Sequence, residues 1–206
     1  MTGVDFIFAI AILIMSVVIH EVSHGYAAYL LGDSTAKYAG RLTLNPLNHL
    51  DFVGSFLVPM FTYLMGGFIL GWAKPVPYNP YNLKNQKWGP AIVGIAGPAS
   101  NFFVALVFGM FLRFSGYLLF LPNSFFDIAS LVVFINLILA IFNLVPIPPL
   151  DGSKILFAVL PYSWREVQNF LERYGFFLLL FFIFFFWRLL LPIMLFLFRI
   201  ITNINF

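Results

Sequence analysis

Apolar residues gather in five long runs, at positions 4–31, 52–70, 91–121, 128–145 and 176–201, with lysine, arginine, asparagine and proline concentrated between them. A run of about 20 apolar residues is long enough to cross a bilayer as a helix. The first run ends at Gly32-Asp33, which reads as a helix C-terminus. Residues 37–49, KYAGRLTLNPLNH, alternate around Arg41, Leu42, Thr43 and Leu44 and predict a short β-hairpin at the membrane edge. The second run is broken by Pro59 and by Gly66-Gly67, so it predicts a re-entrant segment rather than a full span. The proline- and asparagine-rich stretch GWAKPVPYNPYNLKNQKWGP then reads as loop, and the fourth run leads into NLVPIPPLDG. Residues 165–173 predict a short amphipathic connection. The last run is interrupted by Arg188 and Pro192, which read as a snorkelling cation and a kink.

Composition sharpens this pattern. Of 206 residues, 62% are hydrophobic and only 9% charged, which excludes an ordinary soluble domain and predicts one all-α, polytopic membrane domain over residues 1–206. The net charge of +3 does not call for nucleic acid, because the basic residues fall between apolar runs, where they set topology. With no cysteine, any transition metal has to be held by histidine and carboxylate. The N-terminus carries no signal-peptide pattern and is expected to be a retained helix.

Polar residues inside the first run carry the chemistry. His20-Glu21-Val22-Ser23-His24 matches H-E-x-x-H, in which residues four apart share one helix face and can aim two imidazoles at a single ion. A bound Zn²⁺ would offset the cost of placing these groups in a membrane helix, with Glu21 beside the open coordination position. The bland alternative is a hydrogen-bonded interhelical patch. It is disfavoured because two of the three histidines in the chain fall at this spacing around a glutamate.

Catalytic zinc usually takes three protein ligands. Candidates for the third are His49, Asp33, Asp51, Asp127, Asp151, Glu166 and Glu172. Asp151 is favoured over a merely capping aspartate, since it sits in Pro-Pro-Leu-Asp-Gly directly after an apolar run, where the prolines end the helix and Gly152 permits a turn. His24 and Asp151 both lie toward the C-terminal ends of their helices, so they meet only if an even number of crossings separates them. That requires 52–70 not to span. Lys37, Arg41, Lys74, Lys84, Lys87, Lys154, Arg165 and Arg173 then share one side, opposite Arg113 and Arg199, and the positive-inside rule puts the metal nearer the cytoplasm.

These motifs together resemble the site-2 proteases, a family of intramembrane zinc metalloproteases. The resemblance rests on His20-Glu21-Val22-Ser23-His24, on Gly97-Pro98-Ala99-Ser100-Asn101 and on the stretch from Asn143 to Asp151-Gly152, and it covers roughly residues 4–160. It implies one Zn²⁺ per chain held by His20, His24 and Asp151, with Glu21 as catalytic acid/base. It further implies a three-helix catalytic core, to which the apolar pattern adds a C-terminal helix at about 176–201. Asn101 is expected either to join helices by hydrogen bonds or to contact the substrate backbone or the oxyanion, and Asn143 to fix the broken backbone before Asp151. A minimal form is expected, without the leading helix of some members and without PDZ or CBS-like domains. The expected partners are single-span or other membrane proteins as substrates and the lipid bilayer, in a prokaryotic cell membrane with the site toward the cytoplasmic side. A homo-oligomer is left open. The rival readings are a metal transporter or a non-catalytic metal-bound scaffold, neither of which needs a base at Glu21.

Overall fold

The computed structural model describes residues 3–51, 74–117 and 120–204, together with positions 54, 57, 60, 61 and 64. Its helices are α1 (Gly3–Leu30), α2 (Thr35–Tyr38), α3 (Gly89–Arg113), α4 (Asn123–Asn143), α5 (Gly152–Val159) and α6 (Arg165–Thr202). Four segments, Ile7–Leu30, Gly89–Arg113, Asn123–Asn143 and Tyr162–Thr202, are long and apolar enough to cross a membrane. In lipid a backbone must satisfy its own hydrogen bonds, so apolar runs of this length become helices whatever their content of β-branched residues. The architecture fits an all-α polytopic membrane protein.

Helix α3 lies at the centre, packed against α1, α4, α5 and α6. Gly94, Gly97, Asn101, Ala105, Gly109 and Leu112 recur every three or four residues and are all buried, forming one stripe of mainly small side chains along the helix. Small residues let backbones approach closely, and close packing rather than a hydrophobic driving force joins helices in a membrane. At one end of the stripe Gly109 meets Ile201 of α6, and Arg113 Nη1 donates to Ile200 O at 2.7 Å. There Ala105, Leu112, Ala129, Val133, Leu137, Met194, Phe198 and Ile201 form the larger apolar cluster. At the other end Gly94 lies under Asp151 and Lys154.

Helix α1 ends at a positive-φ glycine, Gly32 (φ 109°), with Asp33 N donating to Ala28 O at 2.9 Å. Such a conformation costs glycine little and stops the helix. The C-terminus of α1, the N-terminus of α3 and the C-terminus of α4 thus lie at one end of the bundle, and α1 runs parallel to α4. The chain between α1 and α3 leaves and returns on the same side: Lys84 N donates to Leu31 O and Lys74 N to His49 O, at 2.9 and 2.8 Å. The re-entrant segment expected at 52–70 lies outside the described residues but for five isolated positions.

Three expectations change. No strand occurs at Arg41–Leu44 or elsewhere among the described residues, so the expected hairpin is absent there. The chain instead makes the single turn of α2 and a 3-10 turn over Pro46–His49, which Asn45 caps by accepting from Leu47 N with Pro46 at the first position. Leu42 and Thr43 form a bend instead of a strand. Next, residues 165–173 are not a separate connection but the opening turns of α6, which continues through both exposed Arg188 and Pro192 to Thr202. Finally, α3 stops at Arg113 rather than near 121, and α4 starts at Asn123.

Candidate metal centre

His20 and His24 lie one turn apart on α1 and both are buried against α3 and α4. Their rings stand edge to face, 4.6 Å between centroids and 87° between planes. His20 Nδ1 faces Asn101 Oδ1 at 2.5 Å, and His24 Nδ1 faces the carbonyl of Val93 at 2.6 Å. Both of those oxygens only accept, so each Nδ1 carries a proton, and with the ring neutral each Nε2 would offer a lone pair. The two Nε2 atoms converge on Asp151 Oδ2, at 3.0 and 3.1 Å.

Asp151 reaches this place because Pro148 and Pro149 end the irregular stretch after α4 and Gly152 passes directly against the carbonyls of Leu144 and Val145, where a Cβ would collide. Asp151 precedes α5 yet makes no side-chain cap to it. Its Oδ1 instead accepts from Lys154 Nζ at 2.9 Å. Gly97 of α3 supplies the remaining space: a Cβ there would stand 2.5 Å from His24 Nε2 and 2.6 Å from His20 Nε2.

His20, His24 and Asp151 are the one group of three or more potential ligands among the described residues, each offering an atom within 4.8 Å of the others. Two imidazole nitrogens and a carboxylate oxygen converging on one spot match the donor set of a divalent transition metal. The residues fit zinc. The other candidates for third ligand are elsewhere. His49 is buried with Nε2 on Thr43 O at 2.9 Å; Asp33 accepts from Thr35, Asn79 and Asn82; Asp51 accepts from Gly54 N; Asp127, Glu166 and Glu172 are exposed.

Glu21 stands between the histidines in sequence, and its Oε2 accepts the backbone N–H of Val76 at 2.8 Å. Of the two roles expected for Asn101, its bonds match the interhelical one. It is fully buried, and its Nδ2 donates to Ser16 O (3.2 Å) and Asn136 Oδ1 (2.8 Å) while Oδ1 serves His20, so no donor remains for a substrate or an oxyanion. Asn136 continues the chain, donating to Ser16 Oγ at 2.9 Å and to Val132 O at 2.9 Å. Ser16 and Asn136 were not singled out from the sequence, although a buried asparagine inside an apolar run is a signal in itself. Asn143 donates to Leu139 O at 2.9 Å, within its own helix.

Below the site, residues 74–88 form a strap across the end of the bundle. Pro75 and Pro77 lack N–H groups, leaving Val76 as the donor between them. Val76 packs against Gly25 of α1, while Tyr78 packs on the cluster of Ala28, Leu83 and Val93.

The chain matches Peptidase family M50 over residues 120–184, an interval that contains Asp151. It is 39% identical over 173 residues to the Bacillus subtilis protein named "Putative zinc metalloprotease YwhC", covering 82% of this chain and 76% of that one. It is 31% identical over 159 residues to "Putative zinc metalloprotease Rip2" of Mycolicibacterium smegmatis, covering 73% of this chain and 56% of the relative. With "Putative zinc metalloprotease MJ0611" of Methanocaldococcus jannaschii the identity is 33%, over 73% of this chain and 69% of the relative. No solved structure matches. Taken with a buried pair of histidines facing an aspartate in a bundle of membrane-length helices, these relationships mean that the chain belongs to peptidase family M50, the site-2 proteases.

Proposed function

We propose that the chain is a zinc-dependent endopeptidase that cuts peptide bonds within or near the transmembrane helices of membrane-protein substrates, as in regulated intramembrane proteolysis. The observation that carries this reading is the convergence of His20 Nε2, His24 Nε2 and Asp151 Oδ2 beside Glu21, in a bundle of membrane-length helices. A metal bound there would lower the pKa of a ligated water toward neutrality and polarise a carbonyl oxygen.

The chain's own residues do the rest. Glu21 accepts the proton of the attacking water and returns it to the leaving nitrogen. The N–H of Val76 holds one oxygen of Glu21, which limits the rotation of the carboxylate and leaves the other oxygen to handle the proton. Asn101 is a positioning residue: it fixes the tautomer and tilt of His20, as the Val93 carbonyl does for His24. Because amides in a helix are shielded by their own hydrogen bonds, the substrate unwinds locally before attack. The basic residues cluster at the site end of the bundle, with Arg113 and Arg199 at the other, so the reading places the site toward the cytoplasmic side of a prokaryotic cell membrane.

Co-expression with tagged single-span membrane proteins, comparing the wild type with Glu21→Gln, tests the proposal. The variant is expected to keep its zinc and to lose cleavage by about 10²- to 10⁴-fold. Equal cleavage by both forms would overturn the role of Glu21. Absence of any cut product with either form, alongside metal flux that Glu21→Gln leaves intact, would favour a transporter.

A further inference from the structure

Asp151 has two chemically equivalent oxygens, and only one of them faces the imidazoles. A carboxylate rotates broadly about its last bond, so something has to choose. The usual restraint for an aspartate before a helix is a cap to the N–H groups of that helix, and Asp151 makes none. What holds it is Lys154, one turn into α5, whose Nζ lies 2.9 Å from Oδ1 while Oδ2 lies 3.0 and 3.1 Å from the two Nε2 atoms.

Lys154 is itself seated. Its side chain runs over Gly94 of α3, where a Cβ would come within 3.1 Å of Lys154 Cβ and Cδ. Its ammonium lies 5.5 Å from the ring centroid of Tyr78, in the strap that also presents Val76 to Glu21. The seated ammonium meets the oxygen that the histidines do not use.

We propose that Lys154 is a positioning residue for the metal ligand Asp151, with Tyr78 as its seat, so that the strap sets the orientation of the third ligand through one charge-assisted hydrogen bond. The charge matters more than the volume: a charge-assisted bond is about twice as strong as a neutral one, and partners behind a ligand commonly change metal affinity 10- to 100-fold. The inference rests on His20, His24 and Asp151 being metal ligands.

Zinc affinity, measured by competition with a chromogenic chelator on the purified full chain in detergent, tests it without reference to cleavage. Lys154→Met is expected to bind zinc about 10- to 100-fold more weakly, Lys154→Arg to recover most of the loss, and Tyr78→Leu to fall between. Thermal unfolding of the metal-free protein should be similar in all of them. If Lys154→Met binds within twofold of the wild type while Asp151→Asn loses zinc, the positioning role is wrong and the metal site stands. If Asp151→Asn also retains wild-type affinity, the ligand assignment fails first. Weak binding by Lys154→Arg equal to that of Lys154→Met would overturn the role of charge. Should Lys154→Met not fold, Lys154→Gln reads the same constant.

Discussion

The backbone N–H of Val76 donates to Oε2 of Glu21 at 2.8 Å, tying a surface strap to the helix that carries the two facing histidines. The bond crosses 55 positions of sequence and uses the one N–H between Pro75 and Pro77. Val76→Pro removes the donor while keeping the extended conformation that the residue before Pro77 already prefers. A hydrogen bond to a charged group contributes about 1.5–3 kcal/mol, so cleavage is expected to fall roughly 10-fold or more with zinc content unchanged. Val76→Ala, which keeps the N–H, serves as the control for lost packing. If both variants cut alike, the bond does not orient Glu21.

Gly97 gives the sharpest steric test. A Cβ there would lie 2.5–2.6 Å from both Nε2 atoms, inside any metal-facing volume. Gly97→Ala is expected to lose zinc and cleavage together while keeping the helical far-ultraviolet spectrum, because the same face of α3 elsewhere already carries Ala105. Stoichiometric zinc in purified Gly97→Ala would mean that the ion sits elsewhere.

Asn101 and Asn136 should differ in degree. Asn101→Ala deprives His20 Nδ1 of its acceptor and should weaken zinc binding about 10- to 100-fold. Asn136→Ala acts one bond further away and should weaken it less, though its loss leaves Ser16 Oγ and Asn101 Nδ2 each short of a partner. Chelator competition on both variants checks the ranking. A larger loss at Asn136 would contradict it.

Asp33 anchors the strap to the end of α1. Burial works to raise its pKa, but Thr35, Asn82 and Asn79 all donate to the carboxylate and hold it below the ordinary range. A carboxyl whose folded pKa is depressed contributes stability above its unfolded value, about 3.9, and loses that contribution as pH falls through the folded value. Thermal melts should therefore show a gap between wild type and Asp33→Asn that is constant from pH 7 to about pH 5 and narrows below about pH 4. A gap that widens in acid would reverse the sign and exclude this origin.

What was legible in the sequence was the register of side chains. His20 and His24 at helical spacing, the turn ending in Asp151-Gly152 and the parity of crossings all follow from residue types, and the fold places these groups together. What was not legible was the contribution of the main chain. Any residue at position 93 has a carbonyl, and any residue but proline at 76 has an N–H, so neither partner leaves a mark in composition. The polar link from Ser16 through Asn136 to Asn101 was masked by the apolar runs around it. The expected hairpin at 41–44 failed for a readable reason, since Asn45-Pro46 is a cap followed by a first-turn proline and signals a helical turn.

The register of α1 also sets a depth. At 1.5 Å per residue His24 lies about 9 Å and His20 about 15 Å from Leu30 along the axis, whereas a hydrocarbon layer is about 30 Å thick. Under the proposed cleavage of membrane helices, water from the surface nearer Leu30 would then have only part of the bilayer to travel, and a cut at that level would leave one stub of a few turns and one longer remnant still rooted in lipid.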